Sequence, residues 1–361
     1  MKKNVILSLP ALVLIGAAVL VTSCGQQEEA AEAEPEEEVE VIEARLASEE
    51  VEGDFMTVWA NNFSDYMAEE TDGAYQLDVY PYGSLGDTRD INELAQLGVV
   101  EYVFSDFAWI SSFVPQAQVL ALNYLWPREN IAEVLEWVVK NGDTMPLLEE
   151  HFRKNGLVPL GIVYEGWQWV TSTKPVDSLE AMNGVKTRVM GSQLLVQNYR
   201  TYGFSPTPMS YGEVYSALQT GLIDAQVNPL FAVYSMKFYE PTQYFTQMWA
   251  EPFLGIPTVN MQHFDLLPDE YQQMMRDYWA DAIVPAGEWI DERNASDREK
   301  IEEAKPSIEW YEFSDEQVAE ARELARSVDS TYLDIGGEGA EELLDTLLAD
   351  IEAAKAAVGV D

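Results

Sequence analysis

The sequence predicts an α/β protein built in two lobes, on three observations. Strand-like and helix-like segments alternate from residue 41 onward, the rhythm restarts near residue 163, and the chain is long and apolar enough for about two domains. With 361 residues, 47% of them hydrophobic, it can bury a core, which excludes an intrinsically disordered chain.

The first unit reads in order as strand, helix, strand, helix, strand. Val41 to Ala47 predicts a strand, and Phe55, Val58, Trp59, Phe63, Tyr66 and Met67 form a helical stripe that stops before Gly73. Leu77 to Tyr80 is a second strand. Asp87 caps a helix that runs to Leu97 and ends at Gly98, and Val99 to Phe104 is the third strand. Such a βαβαβ order gives a largely parallel sheet. An amphipathic stretch, Ile131 to Phe152, follows and is broken near Gly142 and Pro146.

The second unit brings strands at Leu157 to Tyr164, Trp167 to Ser172 and Val185 to Val189. Ser210 and Glu213 have capping-box spacing, predicting a helix that Gly221 closes, and Ile223 to Val227 is a strand before Asn228-Pro229. Pro268 opens a long helical pattern through Tyr271, Met274, Met275, Tyr278, Trp279 and Ile283. Pro285 lies inside it and predicts a kink rather than an end. Ser307 to Phe313 is a late strand, and two amphipathic helices close the chain.

Ahead of the lobes stand an address and a tether. Lys2 and Lys3 precede an apolar run from Val5 to Val21 that falls short of the roughly 20 residues of a membrane span. Val21-Thr22-Ser23-Cys24 resembles the lipobox of bacterial lipoproteins, and Cys24 is the sole cysteine. Residues 1–23 are therefore expected to be a signal peptide and Cys24 the lipidated first residue. Residues 26–43 carry nine Glu and no base, which makes residues 24–43 a self-repelling spacer.

Acids outnumber bases 63 to 21, for a formal charge of −42. That field repels nucleic-acid backbones and anionic headgroups, and its self-repulsion is eased where salt screens it. One cysteine allows no disulfide within the chain. With two histidines, His151 and His263, it assembles no Cys/His zinc cluster; carboxylates remain as hard-cation ligands, and no metal or cofactor is expected.

Two α/β lobes behind an anchored tether suggest a periplasmic-type binding protein, and the middle of the chain sharpens this. Asn183-Gly184-Val185-Lys186-Thr187-Arg188-Val189 is followed by Gly203 to Gly221, Asp224 and Asn228-Pro229. Gly83-Ser84-Leu85-Gly86-Asp87-Thr88-Arg89, Gly98, Phe238-Tyr239-Glu240 and Leu267-Pro268 flank them. This ordered set resembles the substrate-binding proteins of TRAP transporters, the DctP family, over about residues 44 to 325.

The resemblance implies a type II-like periplasmic binding fold. A ligand cleft lies between lobe I (44–162 and 254–292) and lobe II (163–253 and 293–361), and the kinked helix spans both. It implies capture of a small organic acid, delivery to a membrane permease driven by an ion gradient, and a lipid anchor as the only membrane attachment. Arg188 matches the family's carboxylate anchor. A guanidinium offers two parallel donors to a carboxylate; one arginine among 63 acids is by itself more readily a surface ion pair, and the flanking motif reverses that.

Asn228 matches the family's cleft asparagine, although Ala225 and Val227 replace the common Gly and Glu. Tyr211 belongs to the same central block. Gln168 stands where many members carry a second arginine. Trp167 and Trp169 flank it as candidates for a flat apolar wall or for core packing, and only one face of that strand can reach the cleft. Asp87 and Asp106 match acidic positions of sialic-acid binders; they meet a ligand hydroxyl or amine, or cap a helix and a turn. One arginine and this surround favour a monocarboxylate with an apolar or aromatic body.

Other classes fit less well. A receptor lipoprotein for an ABC importer shares the cleft but not the central block. An envelope hydrolase lacks a Gly-x-Ser-x-Gly elbow and has only two isolated histidines; paired carboxylates are plentiful, so a glycosidase stays open on counting alone. We expect no enzymatic activity.

Overall fold

The computed structural model describes residues 41–360, so the expected signal peptide, Cys24 and most of the tether lie outside the described residues. Strand β1 (Ile42–Ser48) pairs in parallel with β2 (Tyr75–Tyr80) and with β3 (Tyr102–Asp106), separated by α1 (Phe55–Glu70) and α2 (Thr88–Gln96). This is the βαβαβ unit that the periodicity predicts. Phe55, Met56, Ala60, Phe63 and Met67 bury one face of α1, and Asp87 caps α2 by accepting the Arg89 and Asp90 N–H groups.

A one-turn helix, α3 (Phe107–Ile110), follows β3 directly. The amphipathic stretch splits at Gly142 into α4 (Ile131–Asn141) and α5 (Thr144–Arg153), and β4 (Leu157–Pro159) leads into β5 (Val163–Ser172).

The second half of the sheet holds β6 (Lys186–Val189), β7 (Ser205–Pro208) and β8 (Ala225–Asn228), with α6 (Gln193–Thr201), α7 (Val214–Thr220) and α8 (Leu230–Ser235). Strand β6 pairs in parallel with β7 and β8. The capping box expected at Ser210 does not form. Tyr211–Glu213 is a short 3-10 turn with no side-chain cap, and the Ser210 hydroxyl donates instead to Asp87 Oδ2 at 3.0 Å.

The element missed from the sequence is β9 (Tyr244–Asn260), 17 residues long. Its first part pairs with the far end of β5 and, in parallel, with β10 (Glu309–Glu312); its last part is antiparallel to β3 and β4. One sheet therefore runs β2-β1-β3-β9-β5-β8-β6-β7 through both halves. Where β5 and β9 pass between halves the register breaks: Trp167 faces Pro252 while Trp169 faces Gln247. Trp249 lies in this bulge with φ 55°, and Gly166 opens the β5 side with φ 106°, which a side chain there would strain.

A short α9 (Met261–Leu266) leads to α10 (Asp269–Ala304), whose 36 residues continue through Pro285. It packs against α4, α8 and β5, so it touches both halves of the sheet. Helices α11 (Asp315–Ala325), α12 (Asp329–Gly336) and α13 (Ala340–Val358) complete the chain. The sequence groups α13 with lobe II, but it packs on α4 and α5. There Asp350 accepts the Thr144 N–H at 2.8 Å and its hydroxyl at 2.6 Å. Among the described residues no helix is long and apolar enough to cross a membrane.

Candidate ligand cleft

Open α/β sheets place ligands beyond the carboxyl ends of their parallel strands. Here those ends carry charge. Glu49 and Glu50 follow β1, Asp106 ends β3, Arg188 sits one residue from the end of β6, and Asn228 ends β8. Glu49, Glu50, Arg188, Met190, Tyr211, Asn228, Pro229, Phe231, Ala232 and Phe253 line one cavity, with about 310 Å³ between their atoms.

Arg188 is 1% exposed, and its Nε donates to the Met209 carbonyl at 3.0 Å. Its Nη1 has no partner among the described residues, so a buried cationic donor is directed at whatever the cavity holds. Burial lowers the guanidinium's pKa, and Asp106, Tyr211 and Glu49 oppose that shift. Asn228 is held by a hydrogen bond to Gln226, which in turn donates to Thr171 Oγ1 at 2.7 Å. The buried Tyr211 hydroxyl is also unpartnered, and its ring packs edge-on against Tyr82 and Phe238.

Acids crowd at and behind this wall, and of these Glu49, Glu50 and Glu165 were not expected. Glu49 accepts the Ser105 hydroxyl at 2.8 Å and the Asp106 N–H at 2.7 Å, and Glu50 accepts the Met56 N–H in the first turn of α1 at 2.7 Å. Asp106 takes the Trp109 N–H on Oδ1 at 2.9 Å, leaving Oδ2 without a partner. Glu165 of β5, buried beside Glu50, Glu49 and Asp106, has no donor on either oxygen. Burial first, and the neighbouring carboxylates second, raise these groups: Glu50 to about 8, and Glu49 and Glu165 well above the usual carboxylate range. Asp106 is pushed up to about 7, chiefly by burial.

The residues expected from the sequence divide cleanly. Arg188, Asn228 and Tyr211 lie in one cavity wall, and Asp106 is buried close enough to act on Arg188. Gln168 is 5% exposed with both amide atoms unpartnered, so its polar end is buried without a protein contact. Trp167 and Trp169 do not line this cavity. Trp167 packs edge-on against Trp249, and Trp169 packs edge-on against Trp310 with the Arg298 guanidinium over both rings. Strand alternation sets them on the face away from Gln168. Asp87 caps α2 and meets Ser210. The apolar walls are Phe231, Phe253 and Met190, none of them foreseen. Glu165 had left a visible signal, an acid inside the apolar run Val163 to Trp169.

The two halves touch around the cavity. The Gly212 N–H donates to Tyr82 Oη at 3.0 Å, the Ser235 hydroxyl to Asp54 Oδ2 at 2.6 Å, and a Cβ on Gly191 would stand 2.6 Å from the Trp109 ring. A larger groove, about 1500 Å³, lies between Trp126, Arg128, Trp249 and Arg322. It opens to solvent and its arginines face Glu129, Asp315 and Glu323, so the buried cavity at Arg188 is the candidate site.

Residues 46–333 match the model of bacterial extracellular solute-binding protein, family 7, named DctP. The chain belongs to this family. The resemblance seen in residues 183–229 is thereby borne out. The ectoine-binding periplasmic protein TeaA of Halomonas elongata is 33% identical over 309 residues, covering 86% of this chain and 90% of that protein. The ectoine/5-hydroxyectoine-binding periplasmic protein UehA of Ruegeria pomeroyi is 31% identical over 313 residues, with 86% and 90% covered. The solved structure of the periplasmic ectoine-binding protein from the TeaABC TRAP-transporter of Halomonas elongata superposes with a TM-score of 0.81 at 32% identity. It covers 86% of this chain and all of that one. As a DctP-family protein, the chain is an extracytoplasmic solute receptor with the two-lobed α/β fold of its relatives.

Proposed function

We propose that this receptor captures a small monocarboxylate that also carries a compact cationic group, and delivers it to an ion-gradient-driven TRAP permease. The observation that carries this is the charge at the cavity: one buried guanidinium with a free Nη1, and two buried carboxyl groups in the lining, Glu49 and Glu50, with Asp106 and Glu165 buried beside them. Arg188 takes the solute carboxylate in charge-assisted hydrogen bonds, with Asn228 beside it. Glu50, Glu165 and Asp106 take the cationic N–H groups, and Phe231 and Phe253 flank the ring or chain between them. A second arginine, which a dicarboxylate needs, is absent where Gln168 stands. The relatives named for ectoine, a cyclic zwitterion, support this class over the purely apolar body expected from Trp167 and Trp169. The bound solute is released unchanged, so no catalysis is assigned.

The same reading includes two lobes, the halves of the sheet, that close on the solute, and a lipid on Cys24 that holds the receptor at the membrane through the acidic spacer. Calorimetric titration with ectoine, succinate and benzoate tests the ligand class. Ectoine is expected to bind with the other two weak or silent; succinate binding more tightly than ectoine would overturn the reading.

A further inference from the structure

We propose that protons and the solute's cationic group compete for the same carboxylates, so that filling the cleft expels a proton held between Glu165 and Glu50. This rests on the zwitterion reading above and assigns it a regulation: affinity that falls as the surroundings acidify.

The geometry singles out Glu165. Glu49 has two hydrogen-bond donors, Glu50 one from the first turn of α1, and Asp106 one from Trp109. Glu165 has none among the described residues, although it is fully buried. A buried carboxylate with no donor and three acidic neighbours is unstable as an anion. A carboxylic acid there has its own O–H, and the facing Glu50 is an acceptor for it.

Of the other charged or titratable groups facing the pair, all but one favour keeping the proton there. From beyond β1 comes Glu49, from β3 Asp106, from the cap of α1 Asp54, which is the strongest ionic neighbour of Glu50, and from the turn before α7 Tyr211, all acidic or neutral. Helix α10 contributes neutral Asn294, whose Nδ2 donates to the Glu165 main-chain carbonyl at 3.4 Å. It also contributes Arg293, the one opposing group, which favours the Glu50 anion but donates its hydrogen bonds to Asp54, Asp297 and the Gly53 carbonyl. Strand β9 brings Gly255 against the Glu165 carboxyl, and the buried Arg188 has Asp106 as its strongest ionic neighbour. Burial and mutual repulsion raise Glu50 to about 8, Asp106 to about 7 and Glu165 well above the usual carboxylate range.

The step balances simply. The acid O–H breaks, the proton passes to bulk water, and the new carboxylate accepts the solute's N–H, which keeps its own proton. At Glu165 and Glu50 the solute's positive charge takes the place of the proton's, while its carboxylate sits on Arg188, so the cleft's net charge falls by one unit, carried off by the proton.

The experiment uses the mature protein and ectoine as probe. Binding heats measured at pH 6.5 in buffers of different ionisation enthalpy should depend on the buffer, with release of about one proton per ectoine bound. Glu165→Gln should lose most of that dependence, and its affinity should change less with pH than wild type. Should Gln disturb folding, Glu50→Gln serves as the second variant with the same expected loss. A second arm needs no solute. The thermal midpoint of the free wild type, relative to Glu165→Gln, should fall as pH rises from 5 to 9, because deprotonating the pair leaves an unpaired buried charge. Ectoine failing to bind while this difference persists would refute the ligand class and leave the shared proton standing. Superimposable pH profiles, or binding heats independent of buffer, would overturn the proposal.

Discussion

Asp106 and Arg188 are both buried at the cleft, at most 1% exposed, yet they form no ion pair within 4.0 Å. Each is anchored by main chain instead, Asp106 by the Trp109 N–H and Arg188 by the Met209 carbonyl. A protein optimised only for stability would join them, because an unpaired buried charge is expensive. Held apart, each keeps a polar atom for a third party.

Arg188→Ala should weaken solute binding by roughly tenfold to several hundredfold, as an ionic hydrogen bond is worth about 1.5–3 kcal/mol. Arg188→Lys should also be clearly impaired, since it keeps the charge and loses the fork. Calorimetry decides this; a folded alanine variant that binds as tightly as wild type would remove the carboxylate anchor.

Gly191→Ala should hold the cleft ajar. Its new methyl would meet the Trp109 ring at 2.6 Å, so closure must displace the ring or stop short. We expect affinity to fall several-fold through faster release, with the fold retained. Small-angle scattering should show a smaller contraction on solute addition, and wild-type contraction and release rate would count against it.

Gln168→Arg should bring in the missing second cation. Its carboxamide is buried and unpartnered, so an arginine there should improve succinate binding relative to ectoine. Severe loss of thermal stability with no gain in succinate binding would mean that the side chain faces core rather than solute.

Glu251 offers a pH test separate from the Glu165–Glu50 pair. Burial pushes it up to about 8, against hydrogen bonds from Tyr199 and Asn198. A carboxyl raised above its unfolded value of about 4.3 contributes stability in full below that value and loses it as pH rises toward the folded one. Wild type should therefore lose thermal stability between about pH 4.5 and 8 more steeply than Glu251→Gln, by a few degrees. Parallel melting curves would show that Glu251 is ionised throughout.

Cys24→Ser should leave solute binding intact and release the protein from membranes. Retention of the serine variant through high-salt washing would refute the lipid anchor.

Local signals made much of this legible. Asp87 announces its helix, Pro285 sits inside a helix as its neighbours require, and the block around Arg188 and Asn228 marks a cavity wall. What stayed hidden depends on contacts between distant segments. Ser210 has a capping partner at the right spacing, but Asp87, 123 residues away, takes its hydroxyl. Strand β9 mixes Met, Trp, Glu, Pro and Gly and shows no alternation, because it is buried on both faces and bulged in the middle. Glu49 and Glu50 look like part of the acidic surface until parallel pairing with β3 buries them at a strand end.

Strand β9 also has a consequence for how the molecule comes apart. Its residues hold β10 and β5 at one end and β3 and β4 at the other, so melting either half strips partners from its neighbour. Two halves that close on a solute, as proposed, still share one cooperative fate. Heating should give a single calorimetric transition, and neither half should survive proteolysis without the other.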